Sequence, residues 1–205
     1  MKKMNVAVVG AKGWAARDLI SILLRHPHAE LVALGDKLDE PERLDETFPE
    51  FYGVSDLMIE QAEVDKINEM AEVIFLALPH KVAQGYARPF CDAGKTVIDL
   101  SADFRFDNMD VYEKTYAISH QAKDLNENAV YGMPELFREK IRKAKLIGNP
   151  GCYPTSMILP CAPLVASGWV DVKSIISDSK SGVSGAGRAA TPKTHYVACN
   201  ESIKA

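Results

Sequence analysis

Short, continuous apolar runs alternate along this chain with segments whose apolar residues recur at helical spacing. Asn5–Val9 (NVAVV) predicts a first strand, and a glycine turn follows it. Leu19, Ile20, Leu23 and Leu24 then repeat at the period of a helix that stops around Arg25–Pro27. Glu30–Leu34 (ELVAL) predicts a second strand, and Val73–Leu78 (VIFLAL) a third, closed by Pro79. Val82–Ala93 reads as a helix ended by Gly94, Thr96–Leu100 (TVIDL) as a buried strand, and Lys145–Ile147 as a further short one. Strands without polar alternation are buried on both faces. The succession therefore predicts an α/β fold with a mostly parallel sheet covered by helices on both sides.

Two stretches break the rhythm. Asp36–Tyr52 is polar, charged and proline-containing, which predicts a loop or a short irregular helix. After Gly151 the prolines Pro154, Pro160 and Pro163 punctuate a helical segment, with a kink expected at Pro160. Ser174–Ser179 then predicts a strand feeding the glycine-rich Lys180–Arg188. A domain boundary near Gly148–Gly151 is expected: residues 1–148 form a first domain and 149–205 the start of a second.

Composition narrows the classes. In 205 residues, 24 basic and 28 acidic side chains give a net charge of -4, which argues against a nucleic-acid partner. No apolar run reaches the roughly 20 residues of a membrane span, and the N-terminal stretch does not read as a signal peptide. Cys91, Cys152, Cys161 and Cys199 are widely separated, without a CxxC pair, so neither a disulfide framework nor a metal site is suggested. A reducing cytoplasm is the expected compartment.

Candidate chemistry gathers at the predicted strand ends. Gly10, Gly13 and Ala16 (VVGAKGWAA) sit three apart between a strand and a helix, where glycine lets a diphosphate approach the helix amides. A plain strand-to-helix turn is the alternative, since the spacing is GxxGxxA rather than GxGxxG. Gly35-Asp36-Lys37 closes the second strand; an acidic residue there holds a ribose hydroxyl and a basic one a 2′-phosphate, leaving NAD against NADP open. His80, in Leu78-Pro79-His80, would contact a cofactor or cap the following helix. Arg105, in Asp99–Arg105 (DLSADFR), would clamp a carboxylate or phosphate, or pair with Asp103 or Asp107.

Cys152 is the candidate nucleophile. Pro154 suits the first turn of a helix, which places the thiol at a helix N-terminus that favours the thiolate. The alternative is a buried structural cysteine, the better reading for Cys91, Cys161 and Cys199. Lys180–Arg188 (KSGVSGAGR) offers glycines, serines and two cations to an anionic substrate, or forms a flexible linker.

Together VVGAKGW, LALPHKVA, IDLSADFRF, VYGMPELFRE, GNPGCYPT and KSGVSGAGR resemble the N-acetyl-γ-glutamyl-phosphate reductase family of arginine biosynthesis, related to aspartate-semialdehyde dehydrogenase. The resemblance implies a Rossmann-type NAD(P)-binding domain and an α/β catalytic domain, of which this chain would carry the beginning. It implies reduction of an acyl phosphate to a semialdehyde with NADPH, NAD not being excluded, in a homo-oligomer. Cys152 would form a thioester with loss of phosphate. Gly10, Lys12, Gly13, Trp14, Lys37, Leu78, Pro79, His80, Ser181 and Gly182 would bind cofactor. Arg105, Asn149, Ser184, Gly185 and Arg188 would bind substrate. The related reductase acting on a carrier-linked aminoadipyl phosphate is a rival, as is a truncated relative that binds nucleotide without catalysis. Lys12, Trp14, Ala15 and Ala16 stand where the family usually carries hydroxyls, an aromatic and glycine. HYVACNESIKA resembles the segment preceding the family's catalytic histidine; His195 does not match that residue, and the sequence ends before it.

Overall fold

A computed structural model describes residues 2–200, and the chain divides into two compact units, Met1–Thr155 and Ser156–Ala205. In the first unit, β1 (Met4–Val9) leads through the glycine turn into α1 (Trp14–Leu23). β2 (Ala29–Asp36), a two-residue β3 (Glu42–Arg43), α2 (Leu44–Thr47) and a 3-10 turn at Pro49–Phe51 follow. Next come β4 (Met58–Gln61), α3 (Val64–Met70), β5 (Val73–Leu76), α4 (Ala83–Asp92) and β6 (Thr96–Asp99). The unit continues through α5 (Met109–Tyr116), α6 (Lys123–Asn126), β7 (Ala129–Tyr131), α7 (Pro134–Ile141) and β8 (Leu146–Gly148).

The strands form one sheet in the order β3-β4-β2-β1-β5-β6-β8-β7. Only β3 runs antiparallel to its neighbour; the other pairings are parallel. The reason is in the runs themselves. Ala7, Val8 and Val9 of β1, Ile74 and Leu76 of β5 and Val97 of β6 are buried, which needs cover on both faces. One apolar layer gathers Ile67, Phe90, Phe104 and Leu146 with the inner residues of β1 and β5. The opposite layer gathers Ile20, Leu23, Leu44, Phe48 and Phe51 with Val6, Val8 and Leu34.

Asp36–Tyr52 is more ordered than a loop. It holds β3 and α2, and its Leu44, Phe48 and Phe51 pack into the core. A helix, α8 (Cys152–Ala166), starts at the end of the first unit and runs into the second. Pro160 and Pro163 lie inside it, removing the donors to the carbonyls of Ser156 and Leu159. The predicted strand at Ser174–Ser179 is not formed. Val172–Ser174 is a 3-10 turn, and residues 175–182 after it carry no regular structure and have no partner strand among the described residues. An extended segment becomes a strand only when a neighbour takes its main-chain hydrogen bonds. A second 3-10 turn, Val183–Ala186, and α9 (Tyr196–Cys199) complete the described residues. Among these residues no helix is long and apolar enough to cross a membrane.

Candidate active site

Four motifs leave the carboxyl ends of four neighbouring parallel strands, β1, β5, β6 and β8. Ligands of open α/β sheets collect at such ends. Each motif is held by contacts that reach far along the chain.

Past β1, Gly10 has φ +87, and a Cβ there would lie 2.4 Å from the carbonyl oxygen of Ala77. Both demands require glycine. The amides of Gly10 and Ala11 donate to Gly35 O, which ties this turn to the end of β2. Gly13 is the N-cap of α1 and supplies no side-chain cap. Asp36 turns back: its carboxylate accepts from the amide of Lys12 at 2.8 Å and from that of Lys37 at 2.7 Å. Lys12 Nζ pairs with Glu42 at 3.0 Å, whereas Lys37 is exposed. Trp14 packs its ring on Phe48, with the Arg17 guanidinium 5.1 Å from its centroid.

Past β5, the Leu78 side chain lies against Gly10. His80 Nδ1 accepts the amide of Ala102 at 2.9 Å, so the neutral ring carries its proton on Nε2. Burial and the nearby Arg105 cation hold this imidazole's pKa below its ordinary value, against a smaller opposing pull from Asp103. His80 does not cap α4, whose N-cap is Val82 without a side-chain bond. Lys81 adopts a left-handed backbone, φ 77, that costs a residue bearing a Cβ. Asp103 compensates by taking its amide on both carboxylate oxygens, at 2.9 and 3.0 Å.

Past β6, Asp99, Ser101 and Asp103 are buried together. Asp99 accepts the amide and hydroxyl of Ser101, and burial raises its pKa to about 6 despite those bonds. Asp103 also accepts the Tyr112 hydroxyl at 2.7 Å, and Tyr112 in turn receives the Gln84 amide. His120 Nε2 lies 2.7 Å from the carbonyl of Asp103. Arg105 forms no ion pair among the described residues; its Nε donates to the carbonyl of Asn149 and its Nη2 to that of Leu100, each at 2.6 Å.

Past β8, Asn149 donates its amide to Asp99 O at 2.8 Å, and its side-chain amide contacts the carbonyl of Pro150. Cys152 is the first residue of α8 and is exposed. Gly151 O accepts both the amide and the hydroxyl of Thr155, closing the first turn. Cys91 contrasts with it: half-buried in α4, its thiol is pushed up to about 11 by desolvation. In the second unit Ser181, Gly182, Ser184, Gly185 and Arg188 are exposed around the 3-10 turn at Val183–Ala186. Ser181 bonds the carbonyl of Gly182, and Lys180 pairs with Asp178 at 2.6 Å. Among the described residues no cluster of His, Cys, Asp and Glu could hold a metal.

The model described as "Semialdehyde dehydrogenase, NAD binding domain" matches residues 5–144, more than half of the chain. The chain belongs to the semialdehyde dehydrogenase family. A second model, "Semialdehyde dehydrogenase, dimerisation domain", matches residues 152–205; positions 201–205 lie outside the described residues. An N-acetyl-gamma-glutamyl-phosphate reductase of Desulforapulum autotrophicum is 47% identical over 98% of this chain and 58% of its own length. Another, from Akkermansia muciniphila, is 46% identical over 100% of this chain and 60% of its own length. The chain thus spans somewhat under two thirds of these curated relatives. Among solved structures, the NADP-bound aspartate semialdehyde dehydrogenase of Candida albicans aligns with a TM-score of 0.60 at 18% identity, over 82% of this chain and 48% of that one. The Vibrio cholerae aspartate semialdehyde dehydrogenase II gives 0.58 at 17%, over 81% and 47%. At such identities these two establish the fold, the mostly parallel sheet of a semialdehyde dehydrogenase nucleotide domain.

Asp103, Tyr112, Gln84 and His120 support the site through contacts that their local sequence does not announce. For Asp103 the available signal is the alternation of Asp99, Ser101 and Asp103 immediately after a strand.

Proposed function

We propose that this semialdehyde dehydrogenase family chain takes part in the NADPH-dependent reduction of N-acetyl-γ-glutamyl phosphate to N-acetylglutamate semialdehyde, with Cys152 as nucleophile. The observation that carries the reading is the exposed Cys152 at the start of α8, in the same row of strand ends as the glycine turn. The names of relatives at 43–47% identity favour this substrate over other acyl phosphates.

The residues past β1 and β2 fit a dinucleotide. The Gly10 turn leaves no room for a side chain, and the uncapped start of α1 directs amide donors outward, where a diphosphate is favoured. Asp36 is engaged by two amides while Lys37 stays exposed, which supports a 2′-phosphate and hence NADP rather than NAD. Bound there, the dinucleotide supplies the hydride that reduces the acyl group. The Cys152 thiolate would attack the acyl carbonyl; the carbon–oxygen bond to phosphate breaks, inorganic phosphate leaves with the electron pair, and a thioester remains. Amides at the start of α8 would stabilise the oxyanion of that attack. His80 accepts the Ala102 amide on Nδ1, so its Nε2–H would be the group offered to the cofactor. The match to a dimerisation domain supports a homo-oligomer.

Acylation is the step to test. Mixing the chain with N-acetyl-γ-glutamyl phosphate should release phosphate and add one N-acetylglutamyl group, mapped by peptide mass to Cys152. Cys152→Ser should do neither. Labelling at Cys91 instead, or none in the wild type, would overturn the reading.

A further inference from the structure

The loop past β5 carries a backbone angle that its residue does not favour. Lys81 has φ 77, which is strained for a residue with a Cβ and natural for glycine. It directly follows His80, whose ring is oriented by two contacts. Nδ1 accepts the Ala102 amide at 2.9 Å, which leaves the proton on Nε2, and the Tyr116 ring lies 5.3 Å away, centroid to centroid. The angle at Lys81 sets how the chain leaves the histidine on its way to α4, and so how the histidine backbone is carried.

Asp103 holds that angle. It is fully buried, and each of its polar atoms is engaged. Its amide donates to Ser101 Oγ at 3.1 Å and its carbonyl receives His120 Nε2 at 2.7 Å, which fixes its main chain. Oδ1 accepts the Lys81 amide at 2.9 Å and the Tyr112 hydroxyl at 2.7 Å, and Oδ2 shares the Lys81 amide at 3.0 Å. These neighbours are all donors, which suits an acceptor-only carboxylate; an amide side chain would turn an N–H toward the N–H of Lys81. A buried carboxylate is costly, and a site that needed only filling would be served by an apolar residue. Two bonds thus run side by side between the loops past β5 and β6. The Ala102 amide fixes the rotation of the His80 ring, and the Asp103 carboxylate fixes the backbone beside it.

We propose that Asp103 is a positioning residue for cofactor binding: its carboxylate holds Lys81 in the left-handed conformation and thereby aims the Nε2–H of His80 at the dinucleotide. The inference rests on the reading of His80 as a cofactor contact, and its test treats the two residues separately so that each can fail alone.

NADPH binding to the full chain is followed by the change in its fluorescence, and stability by urea unfolding of the same samples. His80→Ala and Asp103→Ala should each weaken NADPH binding about tenfold. Asp103→Asn keeps one oxygen for the Lys81 amide and should fall between wild type and Asp103→Ala. The deciding variant is Lys81→Gly, because glycine takes the left-handed angle unaided. Alone it should bind NADPH within about twofold of wild type, and added to Asp103→Ala it should bring binding back to within about threefold. Urea stability should stay low in that double variant, since the Tyr112 hydroxyl still lacks its acceptor. A purely structural role for Asp103 would move the two readouts together. If Asp103→Ala fails to fold, Asp103→Asn with and without Lys81→Gly carries the same comparison. Wild-type affinity in the Asp103 variants, or a defect that Lys81→Gly leaves unrepaired, would overturn the proposal. A loss of about tenfold in Lys81→Gly alone would assign the contact to the lysine side chain and overturn it too. Wild-type affinity in His80→Ala would overturn the reading of His80 as a cofactor contact, and the inference with it.

Discussion

The two units hold their chemical groups by different means. In Met1–Thr155 the bonds that set the site join residues far apart in sequence: Lys81 to Asp103, 22 positions on, and Arg105 to Asn149, 44 on. In Ser156–Ala205 the glycine-serine loop is held by near neighbours, Ser181 to Gly182 and Lys180 to Asp178. The sheet unit has two apolar layers, whereas no described residue after Gly148 is fully buried, and Trp169 and Ile176 are 78% and 93% exposed. Long-range bonds beside a packed interior make geometry a property of the fold. Local bonds at a wet surface leave it a property of the segment.

Substitutions of one kind in both units test that contrast. Gly148→Ala should be the most damaging, because the added methyl meets the Phe104 carbonyl, which is main chain and cannot swing away. We expect a loss of more than about 3 kcal/mol in urea unfolding, against less than about 0.5 kcal/mol for Gly182→Ala, where φ is ordinary and a methyl would meet only the Ser184 hydroxyl, at an ordinary contact distance of 3.8 Å. Equal losses would erase the distinction.

Asp103→Ala leaves the Lys81 amide and the Tyr112 hydroxyl without their acceptor in a buried setting. A loss of about 3 kcal/mol is expected, with weaker NADPH binding in fluorescence titration as Lys81 leaves its left-handed conformation. Unchanged stability would mean that solvent already reaches these groups.

Asp99 sharpens the comparison through pH. Its folded-state pKa, about 6, lies above the ordinary 3.8, so the folded protein holds the proton more tightly than the unfolded chain. Stability falls as pH rises between those values and levels off above about 6. Asp99→Asn removes that slope. Wild type minus variant should therefore change by about 2 kcal/mol across the window and be flat beyond it. A difference that ran flat from acid to neutral would show Asp99 to be hydrated.

The smallest effect concerns caps. Asn108 accepts the amides of Asp110 and Val111 at the start of α5, and Asn108→Ala should cost about 1 kcal/mol in the same unfolding measurement. Asp171 accepts the amide of Lys173 at an exposed 3-10 turn, and Asp171→Ala should stay within about 0.5 kcal/mol.

Burial also explains what was readable. β1, β2, β5, β6 and β8 carry apolar runs and were placed to within about two residues at most ends. β3, β4 and β7 have two, four and three residues, mostly exposed or half-buried, and are too short to give a run to read. Ser174–Ser179 misled for the converse reason: Ile175 and Ile176 supply β-branched residues, but no neighbouring strand is there to pair with them among the described residues. Cys152, Gly10 and His80 were visible because their types and neighbours signal chemistry. The Arg105 bridge was not, since a carbonyl 44 residues away leaves no mark on the local sequence. An ion pair with Asp103 or Asp107 was the natural local guess, and Asp103 turns out to face Lys81 and Tyr112 instead.

The row β1, β5, β6, β8 also acts as a ruler. Neighbouring strands lie about 4.8 Å apart, so three steps put the exits of β1 and β8 about 14 Å from one another. The glycine turn and the loop that leads to Cys152 therefore start that far apart along the row. A ligand that reaches from one loop to the other must cross the strands between them, so the strand order sets a baseline span that loop changes can only adjust.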